Sequence, residues 1–138
     1  MNPLFLVPPV ALVGALATYR LNHDLRVGAV RASAGATLVF CLASWPFGYE
    51  GVPVLRAAFF GATFVGMATA ERFSRRQVAV GGLIYSLVYT LVLSAPGMVR
   101  EPGGVLGTSA FLAGIAVAAF DRLWAKLSPA PVSVPPEV

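Results

Sequence analysis

The chain has 138 residues, 57% of them hydrophobic and only 12% charged, with ten Lys and Arg against six Asp and Glu, and its mean hydropathy is +0.77. A soluble domain of this size covers a large surface with charge, so the composition excludes an ordinary water-soluble fold and suits bilayer hydrocarbon, which takes roughly 20 mostly apolar residues per crossing. The pI of about 9.8 does not point to nucleic acid, because the basic residues lie in short gaps beside apolar runs, where they set topology and meet anionic headgroups.

The first apolar segment covers about residues 3–18 and holds Pro3, Pro8 and Pro9. Proline lacks an amide hydrogen, a loss that costs little near a helix start and that neighbours offset in a membrane. A kinked or late-starting first helix is expected, with four full helices plus a partly inserted N-terminal segment as the alternative. A cleaved secretory leader is not expected, because residues 1–9 carry no Lys or Arg and two prolines interrupt the apolar run. Further segments follow at about 32–47, 52–70, 78–95 and 104–120. The whole reads as an all-α, polytopic transmembrane helical bundle of five helices within residues 1–127. Residues 128–138, SPAPVSVPPEV, hold four prolines and no helical periodicity, the composition of a disordered, Pro-rich cytoplasmic tail.

The basic residues alternate with the segments. Arg20, Arg26 and Arg31 fill the first gap, the second has none, Arg72, Arg75 and Arg76 fill the third, Arg100 stands in the fourth, and Arg122 and Lys126 follow the last segment. With Arg56 at the start of the third segment, eight of the ten fall in the odd gaps and the tail. Basic loops stay on the cytoplasmic side. This predicts an integral protein of a bacterial-type inner membrane, N-terminus outside and C-terminus cytoplasmic.

Laying residues 24–73 over 74–123 matches Arg26 with Arg76, Ser44 with Ser94, Pro46 with Pro96, Glu71 with Asp121 and Arg72 with Arg122. A two-helix unit returns the chain to the same side, so such copies would be parallel repeats about an axis along the membrane normal, a design found among transporters. The small residues of the second helix align best in a register shifted by two, and chains rich in Ala, Gly and Val also match by chance.

Ser33, Thr37 and Cys41 recur every fourth residue in the second segment, and Gly82, Ser86, Thr90 and Ser94 do so in the fourth, which places each set on one stripe of its helix. Facing hydroxyl stripes can line a path for water, ions or a small polar solute. The competing role is structural: Ser and Thr bond back to the preceding turn or pack across a helix seam. Ala58, Ala62, Gly66 and Ala70, and likewise Ala110, Gly114 and Ala118, form ridges that let backbones approach. Arg56 is the basic residue inside a span, near its outer end, with Glu50 in the loop before it. It can attract an anionic solute to an outer mouth, pair with Glu50 or Glu101, or snorkel to headgroups.

Cys41 is alone and His23, the only histidine, lies in the first gap. Haem and zinc need ligands that the segments lack, and Ser86 or Cys41 has no base at matching depth. No cofactor, metal or enzymatic activity is expected. The expected function is a small homo-oligomeric channel or transporter for a polar solute or ion, with Arg56 at its outer mouth. The alternative is a non-catalytic accessory or assembly subunit of a larger membrane complex. The partners are then the lipid bilayer and either further copies or other membrane subunits.

Overall fold

The computed structural model describes residues 3–48, 50–68, 73–95 and 102–127. After a 3-10 turn at Pro3–Leu6 come α1 (Val7–His23), α2 (Ala29–Ala43), α3 (Val52–Gly66), α4 (Arg75–Ser94) and α5 (Pro102–Leu127), with no strand among the described residues. Each predicted segment is a helix. The expectations for Ala70, Glu71, Arg72, Pro96, Arg100, Glu101 and the tail 128–138 lie outside the described residues.

Local chemistry sets the helix ends. Proline stands in the first turn of α1 and of α3, where its missing N–H has no intrahelical acceptor to lose. α1 runs on past residue 18 to His23, taking Arg20 and His23 into its last turn, where the Arg20 charge opposes the partial negative charge of the helix C-terminus. The turn to α2 uses Arg26 at φ 52° and Gly28 at φ 92°, a backbone that glycine adopts without strain. α2 ends at Ala43 instead of reaching Phe47 and passes into a turn at 44–46, as expected where Pro46 disfavours helical geometry at the residue before it. α4 starts at Arg75, earlier than hydropathy suggests, because Ser74 and Gln77 form a capping box.

Three stretches, Pro3–His23, Arg75–Ser94 and Gly104–Leu123, are long and apolar enough to cross a membrane, while α2 and α3 are shorter apolar helices. Five crossings were expected, or four with a partly inserted, proline-bearing first segment. The length shortfall falls instead on the second and third helices.

α1 and α3 pack together at the centre, α2 lies against both, α4 covers the other flank of α1 and also touches α3, and α5 packs on α3 and α4. Glycines make the central contact close: a Cβ on Gly66 would stand 2.2 Å from the Ala15 carbonyl oxygen, and one on Gly14 would stand 2.9 Å from that of Phe59. Ala11 and Ala15 of α1, Ala58 and Ala62 of α3, Tyr85 of α4 and Ala113 of α5 are fully buried. Larger side chains face outward, including Leu38, Val39 and Leu42 on α2 and Phe111, Leu112 and Ile115 on α5. Small residues inside and large apolar residues outside suit association in lipid, where close van der Waals contact holds helices together.

Polar contacts show that the helices alternate in direction. At one end the Tyr19 hydroxyl donates to the Phe73 carbonyl at 2.9 Å, His23 Nε2 lies 2.9 Å from the Ala68 carbonyl oxygen, Arg75 grips Asp24 at 2.7 Å, and the Gln77 amide donates to Asp121. Arg20, Arg26, Arg31, Arg75, Arg76 and Arg122 therefore gather towards this end, and Arg56 stands at the other. The 50-residue offset does carry the start of α3, Val52, onto the start of α5, Pro102. Packing is not equivalent, since α1 forms a seam with α3 and none with α5.

Candidate functional site

Arg56 sits on the first turns of α3, half-buried, and its guanidinium is committed to the end of α2. Its Nε donates to Ser44 Oγ at 2.9 Å and its Nη2 to the Cys41 carbonyl at 3.3 Å, while the group lies 5.8 Å from the centroid of the Trp45 ring. A helix C-terminus carries partial negative charge, so the cation joins the Ser44 hydroxyl, which donates to the same Cys41 carbonyl at 3.1 Å, and fixes the turn between α2 and α3. Glu50 is exposed and forms no ion pair with Arg56 among the described residues.

The two hydroxyl stripes are not brought together within one chain, because α2 and α4 share no seam. Ser33 is buried and its Oγ lies 2.6 Å from Thr63 Oγ1 on α3. Thr63 in turn donates to the Phe60 carbonyl at 2.6 Å, so Ser33 supplies the proton between them. Thr37 Oγ1 is buried without a hydrogen-bond partner among the described residues. The Cys41 side chain is a free, half-buried thiol. On α4 the stripe divides by depth. Gly82 faces α1, where a Cβ would meet that of Ala15 at 3.2 Å, and Ser86 is buried with its hydroxyl on the Leu83 carbonyl at 2.7 Å. Thr90 is half-buried, and Ser94 is exposed and bonds back to the Thr90 carbonyl at 2.8 Å.

Of the small-residue ridges, Ala58, Ala62 and Gly66 are spent on contacts inside the chain. On α5, Ala110 is buried, while Gly114 and Ala118 are half-buried, and a Cβ on Gly114 would meet nothing within 4 Å. Sequence reasoning missed Thr63, the partner of Ser33, and the Asp24–Arg75 pair; neither follows a spacing rule, because each joins helices far apart in sequence. Sequence reasoning also missed the Ser74–Gln77 cap, which the Ser-x-x-Gln spacing signals.

Two apolar grooves flank α1. One, of about 600 Å³, lies towards α2 and is lined by Leu21, Ala36, Val39 and Phe59 with Arg31 at one end. The other, of about 550 Å³, lies towards α4 and carries Arg20, Arg75 and Arg76. Among the described residues no three His, Cys, Asp or Glu side chains converge. The described residues define an all-helical chain with three helices fit to cross a membrane. Comparison with protein-family models, with curated proteins and with solved structures finds no match.

Proposed function

We propose that the protein is a non-catalytic integral membrane subunit that works by lateral assembly with other membrane chains, its arginine-rich end and C-terminus cytoplasmic and its N-terminus outside. One observation carries this reading. Gly35 on α2 and Gly107 and Gly114 on α5 have nothing within 4 Å of a built Cβ, whereas Gly14, Gly61, Gly66 and Gly81 all meet atoms within 3 Å. A glycine in a helix interior costs about 1 kcal/mol relative to alanine. The inner glycines recover that cost through close helix contact within the chain. The outer ones recover it only when another helix closes on them.

The test is purification in mild detergent, mass determination, and the variants Gly35→Leu and Gly107→Leu. The unmodified chain is expected to run with stoichiometric partner chains, and each variant, still helical by circular dichroism, is expected to lose them. A monomer that neither substitution alters overturns the reading.

A second reading, transport of a small polar solute or ion along a path between copies, is favoured by the placement of Thr90 and Ser94 towards the outside of the chain. A homo-oligomer whose flux in liposomes falls with Thr90→Leu and Ser94→Leu supports transport; Ser86 is a poor probe because it is buried in packing.

A further inference from the structure

We infer that the groove between α1 and α4 at the arginine-rich end is a binding site for one anionic phospholipid, an assignment that rests on the membrane-spanning reading above. The groove holds about 550 Å³, with apolar walls that include Val13, Leu16 and Ala79, and it carries Arg20, Arg75 and Arg76. Along α1, Val13 lies two turns below Arg20, about 10 Å at 1.5 Å per residue. The apolar wall thus runs beneath the guanidiniums as acyl methylenes run beneath a phosphate.

Guanidinium forks match phosphate oxygens two at a time, and basic pockets between membrane helices on the cytoplasmic side take anionic headgroups. Asp24 engages one of the three arginines, holding Arg75 through both carboxylate oxygens at 2.7 and 2.8 Å. Arg20 and Arg76 form no ion pair among the described residues, so their charge is left to a ligand. A soluble anion would leave the apolar wall unused. A zwitterionic lipid would bring its own cation beside three arginines. An anionic phospholipid satisfies both parts of the groove.

The test is native mass spectrometry of the full chain released from micelles that contain equal phosphatidylglycerol and phosphatidylcholine. One phosphatidylglycerol is expected to stay on each chain, several-fold more often than phosphatidylcholine. Arg20→Gln and Arg76→Gln are each expected to lower that occupancy about fivefold. Arg26→Gln and Arg122→Gln remove the same charge from the same end outside the groove and should change it less than twofold. Ala79→Phe fills the groove with every arginine kept, and is also expected to expel the lipid. Equal retention of both lipids, equal losses in all four arginine variants, or full occupancy in Ala79→Phe overturns the site. A chain found in the soluble fraction overturns the membrane reading as well, whereas a membrane-extracted chain with no lipid preference overturns this site alone.

Discussion

Gly66 on α3 and Gly82 on α4 both face Ala15 of α1, with different room. A Cβ at Gly66 would stand 2.2 Å from the Ala15 carbonyl oxygen and 2.8 Å from Thr18 Cβ, whereas one at Gly82 would find the Ala15 methyl at 3.2 Å. Backbone cannot step aside as a side chain can, so Gly66→Ala is expected to cost about 1–3 kcal/mol through overpacking. Gly82→Ala is expected to change stability by less than about 1 kcal/mol, because the tight methyl contact is offset by better helix propensity. Thermal unfolding of the two variants in the same detergent checks the order, and equal midpoints would contradict the close α1–α3 contact. Gly66 was legible as part of a packing ridge. Gly82 was read with the hydroxyl stripe because four-residue spacing gives a face but not the neighbour that covers it. Arg56 shows the same limit: a charge inside a span is visible in the sequence, but one of its acceptors is a backbone carbonyl, which no residue type announces.

Between residue and molecule stand the helix ends, where hydropathy was the weaker guide. It marks where the chain is apolar, yet α1 continues through YRLNH and α5 through DRLWAKL, since charged residues propagate a helix once it is started and suit its last turn. The start of α4 was fixed by chemistry that apolar runs do not register. Ser74 Oγ accepts from the Gln77 amide at 3.4 Å and the Gln77 side chain returns a bond to the Ser74 amide, so two orphan donors are satisfied at once. Ser74→Ala is expected to lower stability by about 1 kcal/mol. Gln77 also donates to Asp121 of α5, so Gln77→Ala should cost more than Ser74→Ala, with amide hydrogen exchange rising over residues 75–78 in both. A smaller effect at Gln77 would mean that the link to α5 contributes nothing.

Across the whole molecule, the alternation of arginine-bearing gaps was legible, and among the described residues the helices bring Arg20, Arg26, Arg31, Arg75, Arg76 and Arg122 towards one end. The central place of α3 was not legible, because five apolar segments of similar character give no rank order of burial, and glycine contacts decide it. Nor was the mismatch in length. α2 and α3 have 15 residues each, about 22 Å at 1.5 Å per residue, beside Pro3–His23 with 21 and α4 with 20, each about 30 Å long. Arg31 stands near the start of α2 and the exposed Trp45 just beyond its end, two residue types that anchor at the two membrane interfaces. On the membrane-spanning reading proposed above, with α2 crossing too, a bilayer with a hydrocarbon core of about 30 Å thins around α2, at a fraction of a kcal/mol for each ångström of mismatch. Several ångströms of mismatch make that penalty a measurable part of a marginal stability. The protein reconstituted in dilauroyl lipid is therefore expected to melt at a higher temperature than in dierucoyl lipid, with dioleoyl between them. Burying the Trp45 anchor costs more as the bilayer thickens, so Trp45→Ala should flatten the series. A midpoint that rises with acyl length would show that α2 does not set the thickness of the surrounding lipid.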